Sequence, residues 1–386
     1  MPPEHIPETN GAWRWAPIAV IAGAVAAPYS NALGAAFQFD DWNVIVDEPR
    51  VKTLAAWWAS MPGIRPLLKL SYAWNSSLPF GPAGFHLVNI AIHAANSVLA
   101  FLLLSRLALR EGLNERVGRG LAWFGALLFA LHPVQTEAVT YVSGRSTSLA
   151  ALFSLASILA WVEGRARGRT WLLGLSAALF AAGLLVKETS AVVPLALLLW
   201  ESGNTQSERK PSSRIPWLHF LVLGLAAAVA VSSPMYRHLF NTSFQARSIG
   251  VNFLTQIDVA FYLMGQLVRF DRLNADPALP VVHVWTATLA MQAAVLLLLL
   301  SLGAFFIRRR PAASFGILWF FLWLAPTNSI IPRLDVANDR QLYLALLGPA
   351  WIAAWLLGGR LSMRRGPLLA LAIILALTLG VATYHR

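Results

Sequence analysis

Long apolar stretches alternate with short polar segments along nearly the whole chain. About 20 apolar residues are enough for a helix to cross the hydrocarbon core of a bilayer. The pattern predicts eleven spans, at about 15–36, 84–108, 119–131, 146–162, 171–186, 190–201, 216–233, 284–307, 313–326, 341–357 and 367–384. Because several of these stretches are short, we expect neighbouring loop residues to extend their helices. The chain is therefore predicted to be an all-α polytopic membrane protein, with one domain over residues 1–386.

Two longer polar segments interrupt this pattern, at residues 37–83 and 234–283. The second contains an apolar stretch, 257–270, which is short and ends in charged residues, so we expect a re-entrant or interfacial helix there. In the first, Trp57 and Trp58 are interpreted as interfacial anchors, and the alternative is an amphipathic helix at 54–60 on the membrane surface. Both segments are predicted to be outer loops with interfacial helices.

The composition agrees with a membrane protein, because 57% of the residues are hydrophobic and only 12% are charged. The net charge of +12 would suit a nucleic-acid partner, but its distribution indicates membrane orientation instead. With the N-terminus inside, the inner segments hold 17 of the 30 Lys and Arg residues but only 7 of the 18 acidic residues, as the positive-inside rule requires. We therefore expect a cytoplasmic N-terminus, an extracytoplasmic C-terminus, contacts with membrane lipid and no nucleic-acid partner.

Other sequence features limit the chemistry. The chain has no cysteine, which excludes disulfides and thiolate metal sites. The first span is too long for the apolar core of a cleavable signal peptide. No His/Asp cluster has the spacing of a metal site, so no cofactor is predicted, and a divalent ion at a bound phosphate stays open.

Charged residues on the predicted outer face lie beside helix ends, in five separate loops. They are Asp40, Asp41, Asp47, Glu48, Arg65 and Lys69; Glu137 and Arg145, with His132 nearby; Lys187 and Glu188; Asp258, Arg269, Asp271, Arg272 and Asp276; and Arg333, Asp335, Asp339 and Arg340. Carboxylates in such a set can activate a hydroxyl group, and Arg and Lys can hold a phosphate. This pattern predicts an outward-facing polar site for catalysis or transport.

The adjacent acids Asp40 and Asp41 are the first candidates for the reaction. They follow the first apolar span directly, and ionisable groups near a bilayer are costly unless they have a function or a partner. An equally balanced alternative is that they cap an interfacial helix beginning near Trp42.

The order of motifs resembles that of the transmembrane-and-TPR-containing O-mannosyltransferases, members of the GT-C superfamily of lipid-donor glycosyltransferases. The matching pieces are Phe39-Asp40-Asp41; Arg65-Pro66-Leu67; Phe85-His86-Leu87-Val88-Asn89 and His93; His132-Pro133-Val134-Gln135-Thr136-Glu137-Ala138-Val139 with Gly144-Arg145; Lys187-Glu188; Asn328-Ser329; and Asp339-Arg340-Gln341-Leu342-Tyr343. The resemblance implies a GT-C membrane fold over the whole chain.

Two features depart from that family. The extramembrane TPR repeats are missing, so the chain is expected to be a membrane-domain fragment or to have a separate TPR-type partner. Asn338-Asp339 stands where the family would have Ala-Glu. The first departure leaves acceptor recognition open, and the second leaves the role of Asp339 open.

The resemblance implies inverting transfer of a sugar, with mannose as one candidate, from a polyprenyl-phosphate donor to an acceptor hydroxyl, such as that of a protein Ser or Thr or of a glycan. In this hypothesis Asp40 is the base, and Asp41 orients the acceptor or tunes Asp40. The residues expected to bind the donor phosphate are Arg340, then Arg145, Lys187 and Arg65. The residues expected to bind the acceptor or the sugar are Glu137, His132, Glu188, Asp339 and Tyr343.

Several of these residues also have structural interpretations. Lys187 and Glu188 would equally well pair with each other in a hairpin between two spans. His86 and His93 lie two helical turns apart, on one helix face. The favoured interpretation is that they hydrogen-bond to neighbouring helices, as Asn89 and Asn96 would.

Two other function classes compete with the glycosyltransferase. A transporter would place ionisable groups in mid-span and repeat its broken helices, whereas these spans are almost entirely apolar. A catalytically inactive scaffold of an envelope glycan pathway would tolerate loss of the acids that this chain retains. The Ala-, Leu- and Arg-rich composition favours a bacterial cytoplasmic membrane with a periplasmic active site; a eukaryotic chain would lie in the endoplasmic reticulum membrane.

Overall fold

The computed structural model describes residues 12–60, 63–203, 215–361 and 365–386. Within these ranges the chain is helical and contains no β-strand, which confirms the all-α prediction. Parts of the predicted inner face lie outside the described residues, namely most of the N-terminal tail, most of the loop 201–215 and Arg364 in the loop 358–366.

The first half of the chain forms nine of the described helices. They are α1 (Ala12–Ala26), α2 (Leu54–Ser60), α3 (Pro66–Ser76), α4 (Gly81–Arg110), α5 (Glu115–Leu131), α6 (Thr136–Val139), α7 (Arg145–Arg167), α8 (Thr170–Val186) and α9 (Val193–Ser202). The second half forms eight. They are α10 (Trp217–Ser232), α11 (Pro234–Ala246), α12 (Ile249–Gln266), α13 (Ala287–Phe306), α14 (Pro311–Leu324), α15 (Leu342–Ala345), α16 (Leu347–Leu361) and α17 (Arg365–Tyr384).

Each of the eleven predicted spans overlaps at least one helix, but fewer helices are long enough to cross a bilayer. Among the described residues, Gly81–Arg110, Val142–Arg167 and Ala287–Phe306 are both long and apolar enough. Two bent helix pairs, α5 with α6 and α10 with α11, would raise this number to five. The chain therefore carries several helices that can span a membrane, while the count of eleven and the orientation of the termini stay predictions.

Some helix boundaries differ from the predicted spans and others agree with them. The first apolar stretch ends as a helix at Ala26, because Pro28 disfavours helical geometry at the residue before it, and a short turn at Ser30–Gly34 follows. His132 is extended before Pro133, as the sequence predicted, so α5 ends at Leu131. The predicted span 341–357 is broken into α15 and α16.

The outer-loop helices are partly as expected. The predicted helix at 54–60 is present as α2. The predicted short helix at 257–270 is longer, because α12 begins at Ile249 and turns the polar side chains Asn252, Thr255 and Gln256 inward. Whether α2 and α12 lie at a membrane surface stays a prediction.

A central core holds the helices together. The helix α4 packs against α1, α5 and α7, and α16 packs against α5 and α14, around fully buried residues such as Leu104, Phe129 and Trp319. Gly316 and Gly348 face each other where α14 crosses α16, and a Cβ atom on Gly348 would collide with the Gly316 carbonyl oxygen. Small residues thus let these two backbones approach closely, and the loops at one end of the bundle are brought together around the cavities described next.

Candidate active site

Two neighbouring cavities lie among the loops that the sequence predicts on the outer face. The larger has a volume of about 520 Å³. Its charged lining residues are Asp40, Asp41, Glu137, Asp276, Asp335, Arg340 and Arg386. The smaller has a volume of about 40 Å³ and contains the cations Lys187, Arg333 and Arg340. Arg340 lines both cavities, so a ligand extending from one to the other would pass this guanidinium.

Asp40 presents its carboxylate to the large cavity. Its side chain is exposed, and its backbone N–H donates to the Tyr141 hydroxyl oxygen at 3.0 Å. Burial, and then the nearby Asp40 carboxylate, raise the pKa of Tyr141 to about 12, so this phenol stays protonated near neutral pH. The preceding residue, Phe39, has a φ of +46°, a strained backbone conformation that costs about 1–3 kcal/mol. The loop thus holds Asp40 at the cavity wall with its carboxylate available.

Asp41 has a different environment from Asp40. It is 1% exposed, and its Oδ1 accepts hydrogen bonds from the Ser143 backbone N–H at 2.8 Å and the Ser143 hydroxyl at 2.6 Å. Its Oδ2 accepts a third from the Gln38 N–H at 3.0 Å. Asp41 makes no capping hydrogen bond to the turn Trp42–Val46, so the capping interpretation is wrong for Asp41. Its carboxylate instead anchors the Asp40 loop to the start of α7.

The buried Glu137 forms an ion pair with the partly buried Arg340, and both side chains line the same cavity as Asp40. The Arg340 Nε lies 3.3 Å from the Glu137 Oε1, and the Arg340 backbone N–H donates to the Glu137 Oε2 at 2.8 Å. Glu137 lies on α6, which packs closely on Gly144, because a Cβ atom at Gly144 would lie 2.5 Å from the Glu137 carbonyl oxygen. The Arg340 guanidinium is also 6.0 Å from the centroid of the Tyr141 ring. Tyr141 therefore connects the Asp40 loop to Arg340.

Like charges converge on the small cavity. The Lys187 Nζ donates to the Thr147 hydroxyl at 2.7 Å. Burial is the largest cause that lowers the pKa of Lys187 well below its ordinary value, and the charges of Arg65, Arg340 and Arg333 lower it further. Such mutual repulsion is relieved by an anion, so the site is suited to a phosphate group. One water molecule occupies about 10–15 Å³ of such a cavity volume. The small cavity therefore has room for about three water molecules, which is roughly the space that one phosphate group needs.

Glu188 pairs with Arg65 and not with Lys187. The Arg65 Nη2 lies 2.7 Å from the Glu188 Oε2, and the Tyr236 hydroxyl donates to the Glu188 Oε1 at 3.1 Å. Burial raises the pKa of Glu188, but the Arg65 charge and these hydrogen bonds lower it below its ordinary value. The interpretation that Lys187 pairs with Glu188 is therefore wrong. Arg65 lies at the edge of the cation group formed by Lys187, Arg333 and Arg340, and its charge is already paired with Glu188.

Arg145 is a structural residue in this arrangement and lines neither cavity. It is 0% exposed, and it donates to the side-chain oxygens of Asn89 at 2.7 Å and Asn75 at 2.8 Å. It also donates to the Ser71 and Phe85 carbonyl oxygens. Its guanidinium thus joins α3, α4 and α7, and none of these contacts leaves it aimed at a donor phosphate.

We expect Arg145→Met to lower the free energy of unfolding by about 3 kcal/mol or more, because buried acceptors that lose a charged donor each cost about 1–3 kcal/mol. Chemical unfolding in detergent would measure this loss. The matched control is Arg65→Met, which removes a half-exposed pair contributing at most about 1 kcal/mol. An Arg145→Met protein of normal stability with weakened donor binding would contradict the structural role.

Five other predicted ligand residues also line neither cavity, namely Arg65 and Glu188, which pair with each other, and His132, Asp339 and Tyr343. His132 accepts from the Val134 N–H at 3.1 Å and contacts the Leu267 carbonyl oxygen. Asp339 is buried against Arg386 at 2.7 Å, and burial raises its pKa while Arg386 opposes the increase. The Tyr343 hydroxyl contacts His93 Nδ1 at 2.7 Å and Asn96 Nδ2 at 2.9 Å.

The polar residues of α4 behave as the favoured interpretation predicted. His93 and Asn96 share Tyr343, and Asn89 donates to the carbonyl oxygen of Val139. His86 contacts the Ala35 carbonyl oxygen at 3.2 Å. These contacts confirm hydrogen bonding to neighbouring elements. Among the described residues, no group of three or more His, Asp or Glu side chains is placed to hold a metal ion.

Several residues at the site had no assigned role in the sequence hypothesis, and Arg333 and Tyr141 are the two with the most direct connection to the proposed groups. Arg333 joins the cations of the small cavity, although it lies seven residues before Arg340 in a loop. Tyr141 links Asp40 to Arg340 through its hydroxyl and its ring. Arg333 stood among the outer-face charges, so clustering of basic residues was a usable signal. No such signal marked Tyr141.

Comparison with known proteins supports the expected family. Residues 83–233 match the family model described as "Dolichyl-phosphate-mannose-protein mannosyltransferase". The matched segment contains Glu137, Lys187 and Glu188, and it lies between Asp40 and Arg340 in the sequence. The chain resembles the GT-C O-mannosyltransferases.

Individual relatives agree with the family model. Protein O-mannosyl-transferase TMTC3 of Mus musculus is 35% identical over 164 residues, which cover 38% of this chain and 17% of that protein. Protein O-mannosyl-transferase Tmtc2 of Drosophila melanogaster is 34% identical over 209 residues, covering 47% of this chain and 21% of that protein. Protein O-mannosyl-transferase TMTC4 of Homo sapiens is 32% identical over 209 residues, covering 46% of this chain and 28% of that protein. The matched stretches thus span less than a third of each relative.

Proposed function

We propose that this protein is an integral-membrane glycosyltransferase that moves a sugar from a polyprenyl-phosphate donor to an acceptor hydroxyl, with inversion. The observation that carries the proposal is that Arg340 lines both the cavity of Asp40 and the small cationic cavity. A sugar phosphate lying across Arg340 would have its phosphate among the cations and its sugar in the larger cavity. The named mannosyltransferase relatives favour mannose as the sugar and a protein hydroxyl as the acceptor.

In the proposed reaction the acceptor oxygen attacks the anomeric carbon from the Asp40 side while the bond from that carbon to the phosphate oxygen breaks. Asp40 takes the hydroxyl proton, since attack by a hydroxyl needs a positioned proton acceptor. The departing electron pair stays on the phosphate, where Lys187, Arg333 and Arg340 would neutralise the negative charge. Glu137 would fix the orientation of Arg340 through the two contacts they share.

The expected setting follows from the same hypothesis. The cavities lie among loops predicted to be outside, so the reaction would take place on the extracytoplasmic face, which is the periplasmic face in a bacterium. The donor would come from the surrounding membrane lipid.

The proposal is tested by adding a panel of polyprenyl-phosphate sugars to the protein in nanodiscs and following the release of free polyprenyl phosphate with and without acceptor peptides. Release that depends on one donor sugar would support the enzyme class and name the sugar. A protein that releases no polyprenyl phosphate from any donor, with peptides present, would favour the scaffold alternative. In this assay Asp47→Asn is a suitable control for Asp40→Asn, because Asp47 is exposed in the Asp40 loop and lines neither cavity.

We expect donor binding to weaken as pH rises. In the free protein, burial and the neighbouring cations lower the pKa of Lys187, and a bound phosphate would raise it again. The contribution of Lys187 to affinity is therefore fully present below its free-protein pKa. It is lost as pH rises from that value through the higher pKa of the complex. Titration calorimetry with a sugar-phosphate donor measures this, because a phosphodiester does not itself titrate over the range.

The matched variant is Lys187→Arg, since a guanidinium stays protonated at all accessible pH values. It should bind the donor with a much flatter pH dependence, whereas Lys187→Met should bind weakly at every pH. An unchanged pH slope in Lys187→Arg would show that another group is responsible.

A further inference from the structure

Phe39 lies at the wall of the large cavity with an exposed apolar ring and a strained backbone, and both features are energetically unfavourable. Its side chain is 77% exposed, although it lines the cavity. Its backbone has a φ of +46°, a region that bulky residues rarely adopt. In the described part of the chain, the other non-glycine residue with positive φ is Arg65, at the edge of the cation group. Strained backbone is concentrated at ligand-binding and catalytic sites, so Phe39 is a candidate for ligand contact.

Tyr141 determines where the Phe39 ring lies. The two ring centroids are 6.1 Å apart, with an interplanar angle of 85°, which is a favoured edge-to-face arrangement. The same tyrosine accepts the Asp40 N–H at 3.0 Å and has the Arg340 guanidinium 6.0 Å from its ring centroid. One side chain thus connects the exposed ring to the proposed base and to the proposed phosphate ligand. Phe39 therefore lies where the group between base and phosphate would be held.

The rest of the cavity wall suits a polyhydroxylated ligand. Hydrogen-bonding side chains surround the space, namely Asn31, Gln38, His86, Thr136 and Thr140. A hexose ring presents C–H groups on one face and hydroxyl groups around its edge. Its C–H face gains from packing on the negative face of an aromatic ring, and its edge needs hydrogen-bond partners when water is displaced. This combination matches a sugar better than an apolar lipid chain.

We propose that Phe39, held by Tyr141, is the platform on which the donor's hexose ring packs. The inference rests on the proposed function, since it places the sugar of that donor. Phe39 acts as a sugar-binding residue, and Tyr141 acts as a positioning residue that maintains its direction.

The test compares two probes, polyprenyl-phosphate mannose and polyprenyl phosphate, for binding to the protein in nanodiscs. Phe39→Ala should weaken binding of the sugar-bearing probe roughly 10-fold, equivalent to about 1.4 kcal/mol, and should change binding of polyprenyl phosphate less than about twofold. Phe39→Trp should keep the sugar-dependent affinity, because it retains an aromatic face. Trp42→Ala is the control, since Trp42 is an exposed aromatic residue of the same loop that lines neither cavity.

Phe39→Gly separates the ring from the backbone strain. Glycine adopts positive φ readily, so this variant should be at least as stable as Phe39→Ala and should show the same loss of sugar-dependent binding. A loss in Phe39→Ala that Phe39→Gly does not share would assign the effect to the backbone and overturn the platform.

The other outcomes are distinguishable. Equal weakening of both probes would make Phe39 a contact of the lipid or the phosphate, and this result overturns the inference. Sugar-dependent binding that survives Phe39→Ala unchanged also overturns it and leaves the proposed function intact. A wild-type protein that binds neither probe overturns the proposed function itself.

Discussion

Asp40→Asn is expected to lower sugar transfer by about 10²–10⁴-fold, the usual contribution of a general base, while the protein stays folded and inserted. The side chain is exposed in the large cavity, so asparagine fits without new contacts. The hydrogen bond to Tyr141 uses the backbone N–H and survives the substitution. Asparagine cannot accept the proton of the attacking hydroxyl, so the loss should appear in kcat with little change in donor binding.

Two comparisons make this result specific. Asp47→Asn removes the same charge from the same loop and should transfer sugar at the wild-type rate. Asp41→Asn should reduce stability as well as transfer, because its amide would face the Gln38 N–H that the carboxylate now accepts. Normal transfer by Asp40→Asn would remove Asp40 from the mechanism and direct attention to Glu137.

Arg340→Ala is expected to reduce kcat/KM by about 10²–10³-fold, as loss of a group that stabilises developing charge does. Arg340 is the cation shared by the two cavities, so it would contact the phosphate and the region of the breaking bond. The donor's KM should rise and kcat should fall together. Arg340→Lys should recover part of the activity, since it keeps the charge but loses the forked geometry.

The ion pair with Glu137 complicates Arg340→Ala, because the variant leaves that carboxylate buried without its cation, which is destabilising. The double variant Glu137→Gln/Arg340→Ala removes the unpaired charge and should recover stability without recovering transfer. Glu137→Gln alone should keep more activity than Arg340→Ala or the double variant. Unchanged kinetics in a folded Arg340→Ala protein would exclude Arg340 from the site.

The sequence by itself determined that the chain is helical with apolar segments able to span a membrane, and it indicated the loops that hold the candidate site residues. A membrane-capable helix can be recognised from the sequence, because its preference for an apolar environment depends only on the length and the hydrophobicity of its own residues. Helix ends at prolines were equally local, as His132 shows. The motif order indicated the O-mannosyltransferase resemblance, which the matched segment 83–233 supports.

Only the tertiary structure decided which of the similar charged residues lie together. Arg145 and Arg340 both belong to predicted outer-face motifs, yet Arg145 is fully enclosed between helices and Arg340 lines both cavities. Glu188 pairs with Arg65, which is 123 residues away in the sequence, and not with its neighbour Lys187. Asp40 and Asp41 are adjacent and both line the large cavity, but the Asp40 side chain is exposed there, whereas the Asp41 carboxylate accepts hydrogen bonds from Ser143. The reason is physical: a charge's role depends on its desolvation and its partners, and both are set by helices distant in sequence.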